Sequence, residues 1–232
     1  MRKRSVFAVL AFLVGSCSSA TAGFIYPVGL NPGDHYRIAF VTSGVTLATI
    51  TDIAHYDTFV TDAATAVGSE LALLGATWQV IGSTATVDAY SHIGGSFSFP
   101  IYRPDGVLVA SGSAGLWSGA LQSAIDIDEY GSLLDTIVWT GTHHEGLQYK
   151  SNVLGSSVLV EAGLSTGLNV SWVDGSVMEP GYSHSLYGIS SDLIVPYATP
   201  EPGTVGMMLL GAVCAVGVTK KELVSPGRYR RA

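Results

Sequence analysis

The sequence predicts an α+β fold for the central part of the chain, and three observations lead to this class. Apolar residues alternate with period two in His35 to Val41, which is typical of a β-strand. Apolar residues then recur every three or four positions from about Asp52 to Leu74, which predicts one long early helix with an apolar stripe. Short apolar runs follow, separated by Gly, Ser, Asp and Pro. They predict a loop-rich, mostly antiparallel sheet on which the helix packs, with a β-sandwich as the alternative.

The later strands are predicted from these apolar runs, and Pro104-Asp105-Gly106 between two of them is a strong turn signal. The predicted strands are Trp78–Ile81, Phe99–Tyr102, Val107–Ala110, Thr136–Thr140, Val158–Val160 and Val170–Val173. We detect no internal repeat, so residues 23–195 are predicted to form a single domain.

Charge is distributed unevenly along the 232 residues. Between Gly23 and Pro202 there are three basic residues against 17 acidic ones, a formal charge of 3 minus 17, or −14, whereas the remaining eight basic residues lie at the two ends. An acidic body repels phosphate backbones, so we expect no nucleic-acid partner. Both cysteines, Cys17 and Cys214, lie in apolar terminal segments, which excludes a disulfide or a thiolate metal site in the body.

The N-terminus has the three parts of a secretory signal peptide, predicted to span residues 1–22. Three bases follow Met1, an apolar run extends from Val6 to Val14, and Ala20-Thr21-Ala22 precedes Gly23. We expect signal peptidase to cut between Ala22 and Gly23. Val14-Gly15-Ser16-Cys17 also fits a loose lipobox that would leave a lipidated Cys17. The better-formed Ala-x-Ala site and a second membrane signal at the other end favour cleavage after Ala22.

The C-terminal segment, residues 196–232, contains Pro200-Glu201-Pro202, an uncharged stretch over 203–218, and five bases between Lys220 and Arg231. It resembles the PEP-CTERM sorting signal. This resemblance implies recognition by an exosortase, an integral membrane peptidase thought to cut near the tripeptide, after transient anchoring in the inner membrane. Sixteen residues span about 24 Å as a helix, slightly short of a hydrocarbon core. The bases after the stretch place the body outside the cytoplasm.

A second resemblance lies in the body. The order Trp78-Gln79-Val80, Pro100-Ile101-Tyr102, Leu116-Trp117-Ser118-Gly119 and Trp139-Thr140-Gly141-Thr142 is similar to bacterial surface domains of C-type-lectin or endostatin-like fold. In those domains the tryptophans and the Thr-Gly-Thr turn belong to the packed core. The chain lacks the cysteines and the C-terminal tryptophan cluster of many members, so carbohydrate binding does not follow from the resemblance.

Two polar segments of the body could bind a metal ion. Asp126, Asp128 and Glu129, followed by Gly131, could contribute oxygen ligands to calcium, but the run lacks the longer spacing of a calcium loop, which favours a solvated turn. His143-His144-Glu145 could offer imidazole and carboxylate to zinc. Adjacent side chains on a strand point to opposite faces, so the two rings would converge only in a loop. We therefore predict no metal and no cofactor.

The residues of the body do not predict catalysis. The sequence has no Gly-x-Ser-x-Gly elbow and no cysteine in the body, and carboxylate pairs are too common here to support or exclude a glycosidase. Trp78, Trp117, Trp139 and Trp172 lie in apolar runs and are predicted to be core rather than sugar platforms. The sequence thus predicts an exported, non-enzymatic cell-surface or extracellular-matrix protein, with extracellular polysaccharide as a candidate partner. A carbohydrate- or calcium-binding module is the alternative, and a secreted hydrolase the third hypothesis.

Overall fold

The structure is a computed structural model that describes residues 27–149 and 151–197. The predicted signal peptide, its cleavage site at Ala22 and Gly23, Cys17, the Pro200-Glu201-Pro202 motif and the predicted membrane helix over 203–218 lie outside the described residues. Within the described ranges no helix is both long and apolar enough to cross a bilayer.

The described residues form a mixed α and β fold with a mostly sheet-based core, which confirms the predicted class at that level. The helices are α1 (Ile53–Ala64), α2 (Ala89–His92) and α3 (Ser113–Leu116), with 3-10 turns at Ala72–Leu74 and Val170–Trp172. The strands are β1 (His35–Val41), β2 (Thr46–Leu47), β3 (Trp78–Val80), β4 (Ile101–Tyr102), β5 (Leu108–Ala110), β6 (Ile137–Trp139), β7 (Val160–Leu164), β8 (Ser176–Met178), β9 (Ser183–Ser190) and β10 (Leu193–Ile194).

Strand β9 is the centre of one connected sheet with the order β5-β4-β1-β9-β6-β7-β8. It pairs antiparallel with β1, β2 and β3, and parallel with β6. The remaining pairs among the described strands are antiparallel except β1 with β4, so the mostly antiparallel prediction is confirmed. Trp139 of β6 lies opposite Ala162 of β7, which brings chain segments more than twenty positions apart into contact.

Both faces of the sheet are buried, which explains why β1 is almost entirely inaccessible. Tyr36, Ile38 and Phe40 point into one cluster together with α1, whereas Ala39 and Val41 point into a second cluster on the opposite face. The period-two pattern seen in the sequence therefore separates two cores rather than a core and a wet face. All four tryptophans are buried, as predicted: Trp78, Trp117, Trp139 and Trp172.

The predicted long helix is wrong in length, because α1 ends at Ala64 rather than near Leu74. Gly68 adopts φ +88°, a left-handed conformation that does not continue an α-helix. The Ser69 hydroxyl then donates to the Ala64 carbonyl at 2.8 Å and accepts from the Leu71 amide at 3.1 Å. The first of these bonds gives a partner to a carbonyl group at the end of α1. The apolar residues that recur beyond Ala64 therefore lie in a turn and in the 3-10 turn Ala72–Leu74.

Two of the predicted strands need correction: Val158–Val160 shares only Val160 with β7, and Val170–Val173 is not a strand. Val170–Trp172 is a 3-10 turn, begun by Asn169, whose side chain accepts from the Ser171 amide at 2.9 Å. The central strand β9 was not predicted, because its segment Ser-His-Ser-Leu-Tyr-Gly-Ile-Ser mixes small polar residues with a glycine. Gly188 is required there by close packing, since a Cβ at that position would lie 2.4 Å from the Phe40 ring.

Candidate functional site

The two adjacent histidines lie in a tight hairpin turn, residues 142–148, which we call the histidine hairpin. Thr142 and Gln148 form an isolated antiparallel bridge at its base. Inside it, the His143 amide donates to the Leu147 carbonyl at 2.8 Å, and the Gly146 amide donates to the His143 carbonyl at 2.8 Å. Residues 143–147 therefore form a turn and not an extended strand.

The turn brings the two imidazole rings together. Their centroids are 4.0 Å apart, and the Tyr149 ring stacks beside His143 with a centroid distance of 5.7 Å. The sequence analysis required a loop for the rings to converge, and this is the geometry that the structure has. Both histidine side chains remain about one-third exposed, at 33% and 32%.

A carboxylate from a distant part of the chain completes the cluster. Asp174 follows the 3-10 turn Val170–Trp172, and its amide donates to the Val170 carbonyl at 2.9 Å. One carboxylate oxygen, Oδ2, lies 3.6 Å from His143 Nε2 and 3.6 Å from His144 Nδ1. All three potential ligand atoms lie within 4.8 Å of one another.

Glu161 is a buried acid directly behind this cluster. It sits on β7, is 2% exposed, and its side chain hydrogen-bonds to that of Asp174. Burial is the largest cause that raises the pKa of Glu161, followed by the charge of Asp174 and its hydrogen bond, whereas the amides of Ser176 and Ala162 lower it; the result is a pKa of about 8. Two carboxyl groups thus share one small region, where one of them holds a proton at neutral pH.

Glu145, the third residue of the candidate zinc set, is placed differently. Its side chain is 63% exposed, and its carboxylate Oε2 lies 3.8 Å from Nδ1 of His143, the ring nitrogen not facing Asp174. The cluster of His143, His144 and Asp174 does not include it. Among the described residues, two of the three candidate zinc ligands converge, and Asp174 stands where the candidate set had Glu145.

The acids of residues 126–132, which we call the acidic turn, point to separate partners. Asp126 accepts from Arg103 Nη1 at 2.5 Å. Asp128 accepts from the backbone amides of Tyr130 and Ser132 at 2.9 and 2.8 Å. Two of the three calcium candidates, Asp126 and Asp128, therefore already have hydrogen-bond partners within the protein.

Glu129 is used in the same way. It accepts from the Ser43 amide at 2.9 Å and from the Ser43 hydroxyl at 2.5 Å, and it is 2% exposed. Asp128 is 5% exposed. Among the described residues, the acids of the acidic turn do not form a group of three metal-ligand atoms. Their geometry favours structural contacts over calcium coordination.

A separate surface cleft of about 540 Å³ lies beside the first residue of β1, His35. Phe99 lines it together with Asp34, His35 and Asp192, and His35 Nδ1 is 2.7 Å from Asp192 Oδ2. The guanidinium of Arg37 lies 5.6 Å from the centre of the Phe99 ring. The cleft thus combines one aromatic face with two carboxylates.

Two imidazole nitrogens and one carboxylate oxygen form a donor set suited to zinc, copper or nickel ions. Sequence reasoning missed Asp174 and Glu161 as members of this region. Asp174-Gly175 has the composition of an ordinary turn, and a turn gives no hint of its spatial neighbours. Glu161 did carry a signal, because it is a single charge between Val160 and Ala162, and a charge within an apolar strand needs a partner.

No protein-family model matches the chain, and no curated protein matches it in a sequence comparison.

Proposed function

We propose that this chain is an exported, non-enzymatic protein of the cell surface or extracellular matrix, sorted and processed through a PEP-CTERM signal. One observation carries the proposal: Pro200-Glu201-Pro202, an uncharged stretch over 203–218 and a basic end follow one another in that order. The bases at each end would keep both termini cytoplasmic during export, while the acidic body crosses the membrane.

The finer fold assignment belongs to the same proposal. We propose that the body is C-type-lectin-like, as its motif order suggests. In support, Thr140 and Thr142 of the Thr-Gly-Thr turn are fully buried. The Thr140 hydroxyl donates to the Val173 carbonyl at 2.6 Å, and the Thr142 hydroxyl donates to the Thr140 carbonyl at 2.7 Å.

Intact-mass analysis of the protein from cells and medium tests the sorting proposal, in hosts with and without exosortase. We expect a form that begins at Gly23 and ends near Pro200, present only with the peptidase. Glu201→Gln should keep its tail, whereas the control Glu222→Gln, which lies beyond the apolar stretch, should be processed normally. A retained tail in both hosts would make 203–218 an ordinary anchor and contradict the processing step.

The non-enzymatic part has its own test. The full chain is assayed with generic esterase, glycosidase and protease substrates, with and without added zinc. We expect no turnover above a heat-treated sample. Activity that disappears when one acid of the body is substituted would establish a secreted hydrolase instead.

A carbohydrate-binding module is the second candidate, favoured by the cleft at Phe99. An aromatic side chain beside a carboxylate suits a sugar ring whose hydroxyls donate to Asp192 Oδ1, the oxygen that His35 does not contact. The acidic body would repel anionic polysaccharides, so we take neutral hexose oligosaccharides as the ligands to test.

NMR titration of the full chain in detergent with these oligosaccharides tests this candidate. We expect shifts that Phe99→Ala abolishes and that Tyr182→Ala preserves, because Tyr182 is exposed but lies outside the cleft. Equal shifts in both variants, or none in the unmodified chain, would reject the module.

A further inference from the structure

We propose that His143, His144 and Asp174 bind one divalent transition-metal ion, with zinc as the probe. This inference goes beyond surface display, because the site would exist wherever the protein is finally located. It depends on the described side chains alone and not on either terminal segment.

The strongest observation is a contrast among the histidine–aspartate pairs of this molecule. His35 with Asp192 and His92 with Asp57 are direct hydrogen bonds of 2.7 and 2.9 Å. Asp174 instead lies 3.6 Å from both His143 and His144, too far for a hydrogen bond to either. Because both distances are equal and longer than a hydrogen bond, a space remains between the carboxylate oxygen and the two ring nitrogens. A direct hydrogen bond from either histidine to Asp174 would have removed that space.

The distances suit a bound ion. Zinc binds nitrogen and carboxylate oxygen at about 2.0–2.2 Å, so two ligand atoms of a tetrahedral site lie about 3.3–3.5 Å apart. The two distances to Asp174 exceed this by only a few tenths of an ångström. The nitrogens of His143 and His144 lie within 4.8 Å of each other, and rotation of these part-exposed rings can shorten that separation.

Charge also favours a cation at this point. Glu161 is almost fully buried and its carboxyl group contacts that of Asp174. The two acids place carboxyl oxygens side by side, and a divalent ion on Asp174 would supply the positive charge that this pair lacks. No lysine or arginine among the described residues forms an ion pair with either acid.

The surroundings hold the ligands in place. The Glu145 carboxylate lies 3.8 Å from the second ring nitrogen of His143, beyond hydrogen-bond distance, so the backbone of the turn provides the restraint. Gly146, at φ +82°, packs the turn against Trp117 so closely that a Cβ would lie 2.9 Å from that ring. The histidines are therefore carried by a restrained turn and not by a free loop.

The donor set decides the class of ion. Calcium and magnesium prefer six or more oxygen ligands, whereas imidazole suits zinc, copper and nickel. Three protein ligands also leave a coordination position free, and the one-third exposure of both histidines lets water or an external ligand reach it.

The test is zinc binding by calorimetry on the full chain in detergent, stripped with a chelator. Cys17→Ser and Cys214→Ser are introduced throughout, because thiolates would bind zinc themselves. We expect one zinc ion per chain, and at least tenfold weaker binding in His144→Gln and in Asp174→Asn. Substituted with cobalt(II), the site should show a visible d–d spectrum that these two variants lose.

His35→Gln and Asp192→Asn are matched controls, because they remove the same side-chain types from a hydrogen-bonded pair elsewhere. They should bind zinc as the unmodified chain does. Thermal unfolding of each variant without metal separates loss of the site from loss of the fold. The proposal is overturned if the folded chain does not bind zinc at tens of micromolar, or if the folded His144→Gln and Asp174→Asn variants bind it unchanged.

Discussion

The acidic turn and the histidine hairpin differ in how they place their polar side chains. In the acidic turn, three acids that are neighbours in sequence diverge to Arg103, to backbone amides and to Ser43. In the histidine hairpin, side chains from separate segments converge, and both histidines lie beyond hydrogen-bond distance of Asp174.

This difference shows that polar residues that are close together in the sequence do not necessarily bring their side chains together in the fold. A carboxylate that accepts two short hydrogen bonds from its own turn is a structural group, because its lone pairs are already used. A carboxylate next to another buried acid and beside two imidazoles still lacks a cationic partner at hydrogen-bond distance. The second arrangement is the one that a ligand can stabilise.

The largest expected effect comes from Gly141, where the chain leaves β6 and enters the histidine hairpin. Gly141 has φ +60°, and a Cβ there would lie 2.5 Å from the Leu154 amide nitrogen and 2.6 Å from the Ser83 carbonyl oxygen. We expect Gly141→Ala to lower the free energy of unfolding by about 4 kcal/mol, because backbone must move. Urea unfolding of the full chain measures this loss.

Gly75→Ala is the matched control for that substitution. Gly75 has φ +61°, yet nothing lies within 4 Å of the point that a Cβ would occupy there. It should cost only the conformational penalty of about 1 kcal/mol. Equal losses in both variants would show that the entry to the histidine hairpin is not tightly packed.

The next effect concerns the acidic turn. Asp128→Ala removes a buried carboxylate and leaves the part-buried Tyr130 and Ser132 amides without their acceptor, so the free energy of unfolding should fall by about 2 kcal/mol. Asp135→Ala is the control, since Asp135 is exposed and accepts one long bond of 3.3 Å from Thr166. Added calcium should not restore the stability of Asp128→Ala. A difference in stability between Asp128→Ala and Asp135→Ala that depends on calcium would contradict the structural role of Asp128.

The smallest expected effect is that of Glu161→Gln, which should raise the free energy of unfolding. In metal-free protein the pKa of Glu161 is about 8 when folded, against an ordinary value of 4.5 when unfolded. The folded state therefore holds a proton that the unfolded state releases, and its stabilising contribution is lost as pH rises from about 4.5 through 8. Glu161→Gln removes this loss, so at pH 8.5 with chelator it should be more stable than the unmodified chain by about 1 kcal/mol.

Urea unfolding at pH 5.5 and pH 8.5, with chelator present, measures the effect of Glu161→Gln. The gap between the variant and the unmodified chain should be wider at pH 8.5. A gap that stays constant with pH would mean that the pKa of Glu161 is not raised in the folded protein.

The sheet was predictable where local pattern and final environment agree. Strand β1 alternates in sequence, and each set of residues enters its own core. Strand β9 was not predictable, because Gly188 serves a contact with Phe40 that the local sequence does not encode. The length of α1 was overestimated for the same reason, since apolar spacing continues beyond the turn at Gly68.

Only the two ligands that are adjacent in the sequence, His143 and His144, could be predicted for the candidate site. His143 and His144 were identified as adjacent donors, and their convergence depended on whether the segment turned. Asp174 and Glu161 reach them through the pairing of β6 with β7 and the turn that follows, both of which are long-range contacts. Pairing of this kind is set by the whole sheet, so a single sequence gives no spacing rule for it.

The most direct test of the contrast between these two regions is an anomalous difference map at the zinc edge, from crystals of the chain grown with both zinc and calcium. We predict one zinc peak about 2.0–2.2 Å from His143 Nε2, His144 Nδ1 and Asp174 Oδ2, and none at the acidic turn. A zinc peak on Asp126, Asp128 and Glu129, or none beside the histidines, would contradict the account.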